Sequence, residues 1–150
     1  MTTSCVECAV ARFEEGFNCS QAVLSAYAPD LGLEAALALK VAGGFGGGMG
    51  RLGGICGAVT GALMALGLRY ASAEAGDKAA KEKTYEVVRE FTRRFAACYG
   101  SITCRDLLGC DISTPEGRQQ AQDSGLFTTR CPQLVRTAAE ILESMLSESV

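Results

Sequence analysis

The stretch "DKAAKEKTYEVVREFTRRFAAC", Asp77 to Cys98, decides the fold class. Within it Thr84, Val88, Phe91, Phe95 and Cys98 recur at steps of four, three, four and three. That is the helical period, and it predicts one amphipathic helix with these five residues, Cys98 included, turned to the core. The same period continues upstream. Ser4-Cys5-Val6-Glu7 reads as a capping box, with Val6, Val10, Phe13 and Phe17 following on one side. Asn18 is placed to cap a second helix, Cys19 to Tyr27, which Pro29 stops. Leu31 to Ala42 reads as a third helix, and a small-residue helix is expected from Cys56 to Tyr70. Downstream, a short turn starts at Thr103, and a polar helix is expected over Thr114 to Gln122 with Pro115 at its first position. A last helix runs from Pro132 to about Leu146 and carries Leu134, Ala138, Ile141 and Met145. No stretch alternates with period two. The chain therefore reads as all-α: one domain over 1–150, a compact multi-helix bundle with a Gly-rich loop ahead of a small-residue helix.

Composition narrows the function. Fourteen basic and 17 acidic residues give a net charge of -3, with no basic block, so no nucleic-acid partner is expected. The start, MTTSCVECAVARFEEG, lacks a basic n-region and carries Glu7, Glu14 and Glu15, unlike a secretory signal. A cytoplasmic chain is expected. Leu52 to Leu68 is the only long uncharged apolar run; its glycines and lack of aromatic anchors read as a buried helix, and no membrane span is expected. There are eight cysteines and no histidine. Imidazole chemistry is excluded, and cysteines in a cytosolic chain read as metal-binding or redox-active.

Cys19 follows the cap Asn18. Cys56 opens a helix behind Gly53-Gly54, Cys104 follows the cap Thr103, and Cys131 precedes Pro132. All four are thus expected at helix N-termini, where free N–H groups and the helix dipole favour a thiolate. If the four ends converge they form one sulfur site. The glycines suit that site. "GGFGGGMGRLGGICGAVTG", Gly43 to Gly61, holds ten glycines, and bare backbone at Gly54 and Gly57 allows close approach around Cys56. Gly57 and Gly61, one turn apart, offer a face for another helix or a second copy, and a homodimer is expected. Gly48 to Gly53 matches G-x-G-x-x-G, but a helical segment precedes it and no Lys-Ser/Thr pair closes a P-loop. No nucleotide is expected.

Cys19, then Cys56-Gly57-Ala58-Val59-Thr60-Gly61, then Cys104 and Cys131, resemble the redox-active C-GCAxxG-C-C family. The resemblance covers most of the chain. It implies a small bacterial or archaeal protein with redox activity, in a family whose genes often lie near transporter genes and some of whose members carry selenocysteine. It supplies no electron donor, redox partner or substrate, and Cys5, Cys8, Cys98 and Cys110 inherit nothing from it.

For Cys19, Cys56, Cys104 and Cys131 the first reading is an iron–sulfur cluster held by four thiolates for electron transfer. Thiol–disulfide exchange by the same cysteines and a zinc or other metal-sensing site are the alternatives, beside buried cysteines acting as small hydrophobes. Cys56, at a helix start, flanked by Gly54 and Gly57 and near Arg51, is expected to have a lowered pKa and to be the most reactive or most tightly ligated sulfur. Cys5-Val6-Glu7-Cys8 resembles a dithiol pair or two half-exposed cysteines. Cys110, after Gly109, reads as a loop thiol, resolving or incidental. Arg51 is the leading charge partner for a thiolate or anion, while Arg93 and Arg94 read as solvated surface.

Overall fold

The computed structural model describes residues 4–148; the outermost residues of the 1–150 unit, including the first three read for a signal, lie outside it. The chain is all-α, 74% helical. The helices are α1 Cys5–Glu15, α2 Cys19–Tyr27, α3 Ala35–Val41, α4 Gly57–Tyr70, α5 Lys78–Tyr99, α6 Cys104–Leu108, α7 Pro115–Asp123 and α8 Leu126–Ser147. Among the described residues there is no strand, and Ile55 and Thr103 form an isolated antiparallel bridge. No described helix is long and apolar enough to cross a membrane.

Caps explain most boundaries. Asn18 accepts from the Gln21 N–H while the Gln21 side chain accepts from the Asn18 N–H, a complete capping box. At α1 only half of that exchange forms: Ser4 accepts from Glu7, but the Glu7 carboxylate pairs with Arg136 of α8. Asp77, Thr103 and Thr114 cap α5, α6 and α7. The third expected helix divides. A 3-10 turn, Ala28–Leu31, ends at Gly32 with φ of 92°, and α3 starts afresh at Ala35.

Two expectations fail for identifiable reasons. The last helix starts at Leu126, not Pro132, so Cys131 lies inside α8 and not at an N-terminus. Proline is commonest in a helix's first turn, but here Gly125 turns the chain and the preceding residues are drawn in because Leu126 and Phe127 pack on a small apolar cluster. Cys98 is exposed rather than core. It lies in the last turn of α5, where Tyr99 takes over the inner side, its ring tilted at 45° against Phe95 and its hydroxyl hydrogen-bonded with Thr137.

Helix α2 packs against α1, α3, α4 and α8, and α4 also meets α5 and α8. The main core between them includes Leu24, Val59, Leu66, Phe91, Phe95, Leu134 and Leu142, all buried. A second cluster contains Cys104, Leu108, Cys110, Ile112, Ala121 and Cys131. Cys56 belongs to the main core, and Cys19 packs against both clusters. The candidate site lies at this junction.

Candidate functional site

Backbone contacts bring the cysteines together. From Gly47 to Arg51, five successive residues have φ between 59° and 70°, one left-handed turn. L-residues resist this conformation by about 1–2 kcal/mol each, so three of the five positions are glycine. A side chain on Gly48 would also stand 2.5 Å from the Gly54 nitrogen. The turn folds the loop back: Gly53 and Gly54 N–H donate to Gly47 and Gly48 carbonyls. The loop then holds the start of α6. The Gly54 carbonyl accepts from Cys104 N–H at 2.6 Å, the Gly53 carbonyl from Arg105, and the Ile102 carbonyl from Cys56 N–H at 2.7 Å. Cys56 and Cys104 are therefore tied side by side.

The second approach is between α2 and α4. A Cβ on Gly57 would meet the Ser20 nitrogen at 3.0 Å and Cys19 Cβ at 3.1 Å; on Gly61 it would meet the Ser20 carbonyl oxygen at 2.6 Å. The two glycines let the start of α2 lie directly on α4 and set Cys19 beside Cys56. This face is thereby occupied within the chain.

Cys19, Cys56, Cys104 and Cys131 all line one cavity of about 560 Å³. Gly57 lines it too, whereas Gly54 acts from behind through Cys104. Phe13, Ile112 and Phe127 supply apolar wall; Asn18, Arg51, Arg118 and Gln122 supply polar groups. Cys19 is half-buried and the other three are buried.

The thiols differ electrostatically. Burial pushes Cys56 up to about 11, against the Ala58 and Val59 N–H groups that act to lower it, and Cys131 raises it further. The expected lowering of the Cys56 pKa by its place ahead of a helix is not met: desolvation outweighs the N–H groups. Cys104 is pushed up to about 12 by burial and by the charges of Cys56 and Cys131. Cys19 is held well above the ordinary thiol range, first by its hydrogen bond to Cys131 and then by burial. Cys131 moves the other way. The Cys19 hydrogen bond lowers it, burial opposes, and Arg130 lowers it further. Arg130 is itself fixed: its Nε donates to the Leu107 carbonyl at 3.3 Å, and its guanidinium lies 4.7 Å from the Tyr99 ring centre. The arrangement favours the thiolate at Cys131 over Cys19, Cys56 and Cys104, all three of which are shifted towards the neutral thiol.

The family model described as "Putative redox-active protein (C_GCAxxG_C_C)" matches residues 17–145. The chain belongs to the C-GCAxxG-C-C family. Neither a curated protein nor a solved structure matches it. Cys19, Cys56, Cys104 and Cys131, the cysteines that resemble the family's pattern, all line the cavity, and Gly57 and Gly61 are the glycines that admit α2.

The other cysteines lie apart. Cys5 and Cys8 are half-buried on α1, Cys98 is exposed on α5, and Cys110 packs with Leu108 and Ile112 without lining the cavity. Arg93 and Arg94 pair with Glu90, and Arg94 also with Glu148, away from the cavity. Sequence reasoning missed Arg118, Phe127 and Arg130. Arg130 had a signal, its adjacency to Cys131; Arg118 and Phe127 reach the cavity only through the packing of α7 and α8.

Proposed function

We propose that this protein is a thiol–disulfide redox protein in which Cys131 is the attacking thiolate and Cys19 the resolving thiol. The observation that carries the reading is that Cys19 and Cys131 line one cavity and shift each other in opposite directions, Cys131 being lowered by Cys19 and by the neighbouring Arg130. The Cys131 thiolate attacks one sulfur of a disulfide, forming a mixed disulfide and releasing one thiolate. Cys19 loses its proton to solvent and attacks Cys131 Sγ, forming the Cys19–Cys131 disulfide and releasing the second thiolate. Two protein thiols are oxidised and one disulfide is reduced to two thiols. Cys56 and Cys104, pushed up towards the neutral thiol, do not compete for the disulfide.

A single metal ion does not fit: among the described residues no three Cys, Asp or Glu side chains come close enough together to hold one. An iron–sulfur cluster is the second reading, favoured by the four cysteines around one cavity. Cys19, Cys56, Cys104 and Cys131 would be its ligands, and it would supply one-electron transfer.

The test is oxidation of the metal-free protein with a small disulfide, followed by peptide mapping. A Cys19–Cys131 bond is expected, and a mixed disulfide trapped on Cys131 in Cys19→Ser. Oxidation that leaves this pair reduced, with iron and visible absorption in anaerobically purified protein, would replace the reading with the cluster.

A further inference from the structure

We infer that the cavity is a binding site for a small disulfide or thiol carrying carboxylate groups, with Arg51 and Arg118 receiving the carboxylates. This rests on the proposed thiol–disulfide chemistry and names its substrate class.

Three observations carry it. First, size: about 560 Å³ lies within the roughly 300–1,000 Å³ range of small-molecule sites, and the lining is concave rather than a flat protein-docking face. Second, uncompensated charge: Arg51 and Arg118 both line the cavity, no Asp or Glu does, and neither arginine forms an ion pair among the described residues. The other arginines of the same region are neutralised or fixed, Arg105 by Asp111 and Arg130 by Tyr99 and the Leu107 carbonyl. Two free guanidiniums at a cavity mouth suit carboxylates, which they bind in a bidentate fork. Third, Arg51 is held at φ of 66° with its Cβ and Cγ lying over Gly47. Phe13, Ile112 and Phe127 line the rest, which suits methylene arms between a disulfide and its terminal carboxylates.

The reaction is the one above with the disulfide identified by class. A carboxylate-bearing disulfide gives up one thiolate to Cys131 and the second when Cys19 closes the protein disulfide. Both leave as anionic thiols.

A charge series of similar size tests this: 3,3′-dithiodipropionate, bis(2-hydroxyethyl) disulfide and cystamine, reacted with reduced protein at low ionic strength. Each rate is divided by that of dithiothreitol with the same disulfide, to remove intrinsic reactivity. The dianion should exceed the neutral disulfide by about tenfold, with cystamine slowest. In Arg51→Gln/Arg118→Gln the anion-over-neutral ratio should fall about tenfold, in Arg51→Lys/Arg118→Lys it should largely survive, and Arg89→Gln, an exposed cation that does not line the cavity, should not change it. A ratio near one in the wild type, or one unmoved by the double Gln variant, overturns the inference. Calorimetry with S-methylglutathione, a thioether that cannot exchange, separates the two readings. Binding that needs Arg51 and Arg118 without any exchange keeps the anion site and removes the thiol–disulfide reading. Exchange at Cys131 with no charge preference and no thioether binding removes the anion site alone.

Discussion

Two cysteine pairs in this chain teach opposite lessons. Cys5 and Cys8 form a C-x-x-C at a capped helix start, adjacent in sequence and in the local geometry of a redox dithiol. Cys19 and Cys131 are separated by most of the chain and sit on different helices. Yet Cys5 is raised, by burial first and then by Asp30, Glu143 and Cys8, and its thiol lies 4.0 Å from the Asp30 carboxylate. Cys131 is lowered by Cys19 and Arg130. Burial and an acidic surround favour the neutral thiol at Cys5, whereas Cys19 and a fixed cation favour the thiolate at Cys131. Reactivity follows the charges around a sulfur and not the spacing of the motif.

The largest expected effect is on that contrast. At pH 7, in reduced metal-free protein, Cys131 should alkylate with iodoacetamide faster than Cys5, although Cys5 is the more exposed of the two. Mass spectrometry of labelled peptides over time reads both rates. Equal rates would break the comparison.

The second effect tests how the distant pair is assembled. Gly61→Ala puts a methyl group 2.6 Å from the Ser20 carbonyl oxygen and should cost about 2–3 kcal/mol in urea unfolding, while separating the start of α2 from α4. Its counterpart is Gly67, on the same helix, where an added Cβ meets nothing within 4 Å. Gly67→Ala should stabilise by about 0.5–1 kcal/mol. If both changes behave alike, close approach is not what positions Cys19.

These residues show how far the sequence reached. The all-α class was legible because a 3.6-residue apolar period and side-chain caps are local properties. Asn18, Thr103 and Thr114 each announce a helix within three residues. Cys98 and Pro132 misled because position on a stripe or a proline rule ignores what covers a helix end and what pulls the chain in before it. The four cysteines were legible as a set, but their different chemistry was not. Cys56 has the N–H groups its sequence position promised; its burial between α2 and the main core is a tertiary fact. So is the nearness of Cys19 and Arg130 that sets Cys131 apart.

The third effect is on stability against pH, and the sites pull in opposite directions. Cys56 and Cys104 keep their protons in the fold to about 11 and 12, whereas in the unfolded chain they ionise near the ordinary thiol value. Above about pH 9 the unfolded state binds fewer protons, so each thiol should remove about 1 kcal/mol of stability per pH unit until its folded value is passed. Cys131 is lowered, so its contribution is present above its unfolded value and is lost as pH falls through its folded one. Urea melts from pH 8.5 to 10.5 should show Cys56→Ala flatter than wild type, whereas Cys131→Ala should differ from wild type in slope only below about pH 9, where it loses the rise of stability with pH. A Cys56→Ala slope parallel to wild type above about pH 9 would contradict the assigned direction.

The smallest effect sharpens the Cys5 side. Asp30→Asn removes a negative charge that disfavours the Cys5 thiolate, with Glu143 and burial left in place. Burial is the larger cause, so Cys5 alkylation at pH 7 should rise only about two- to threefold and stay well below Cys131. The exposed position of Asp30, at the end of the short 3-10 turn, makes a folding defect an unlikely source of the change, and circular dichroism checks it. A tenfold or larger rise would mean that one surface carboxylate, rather than desolvation, keeps the C-x-x-C pair inactive. Cys5 and Cys8 would then be a dithiol gated by charge, and the difference between the two pairs would narrow to a single side chain.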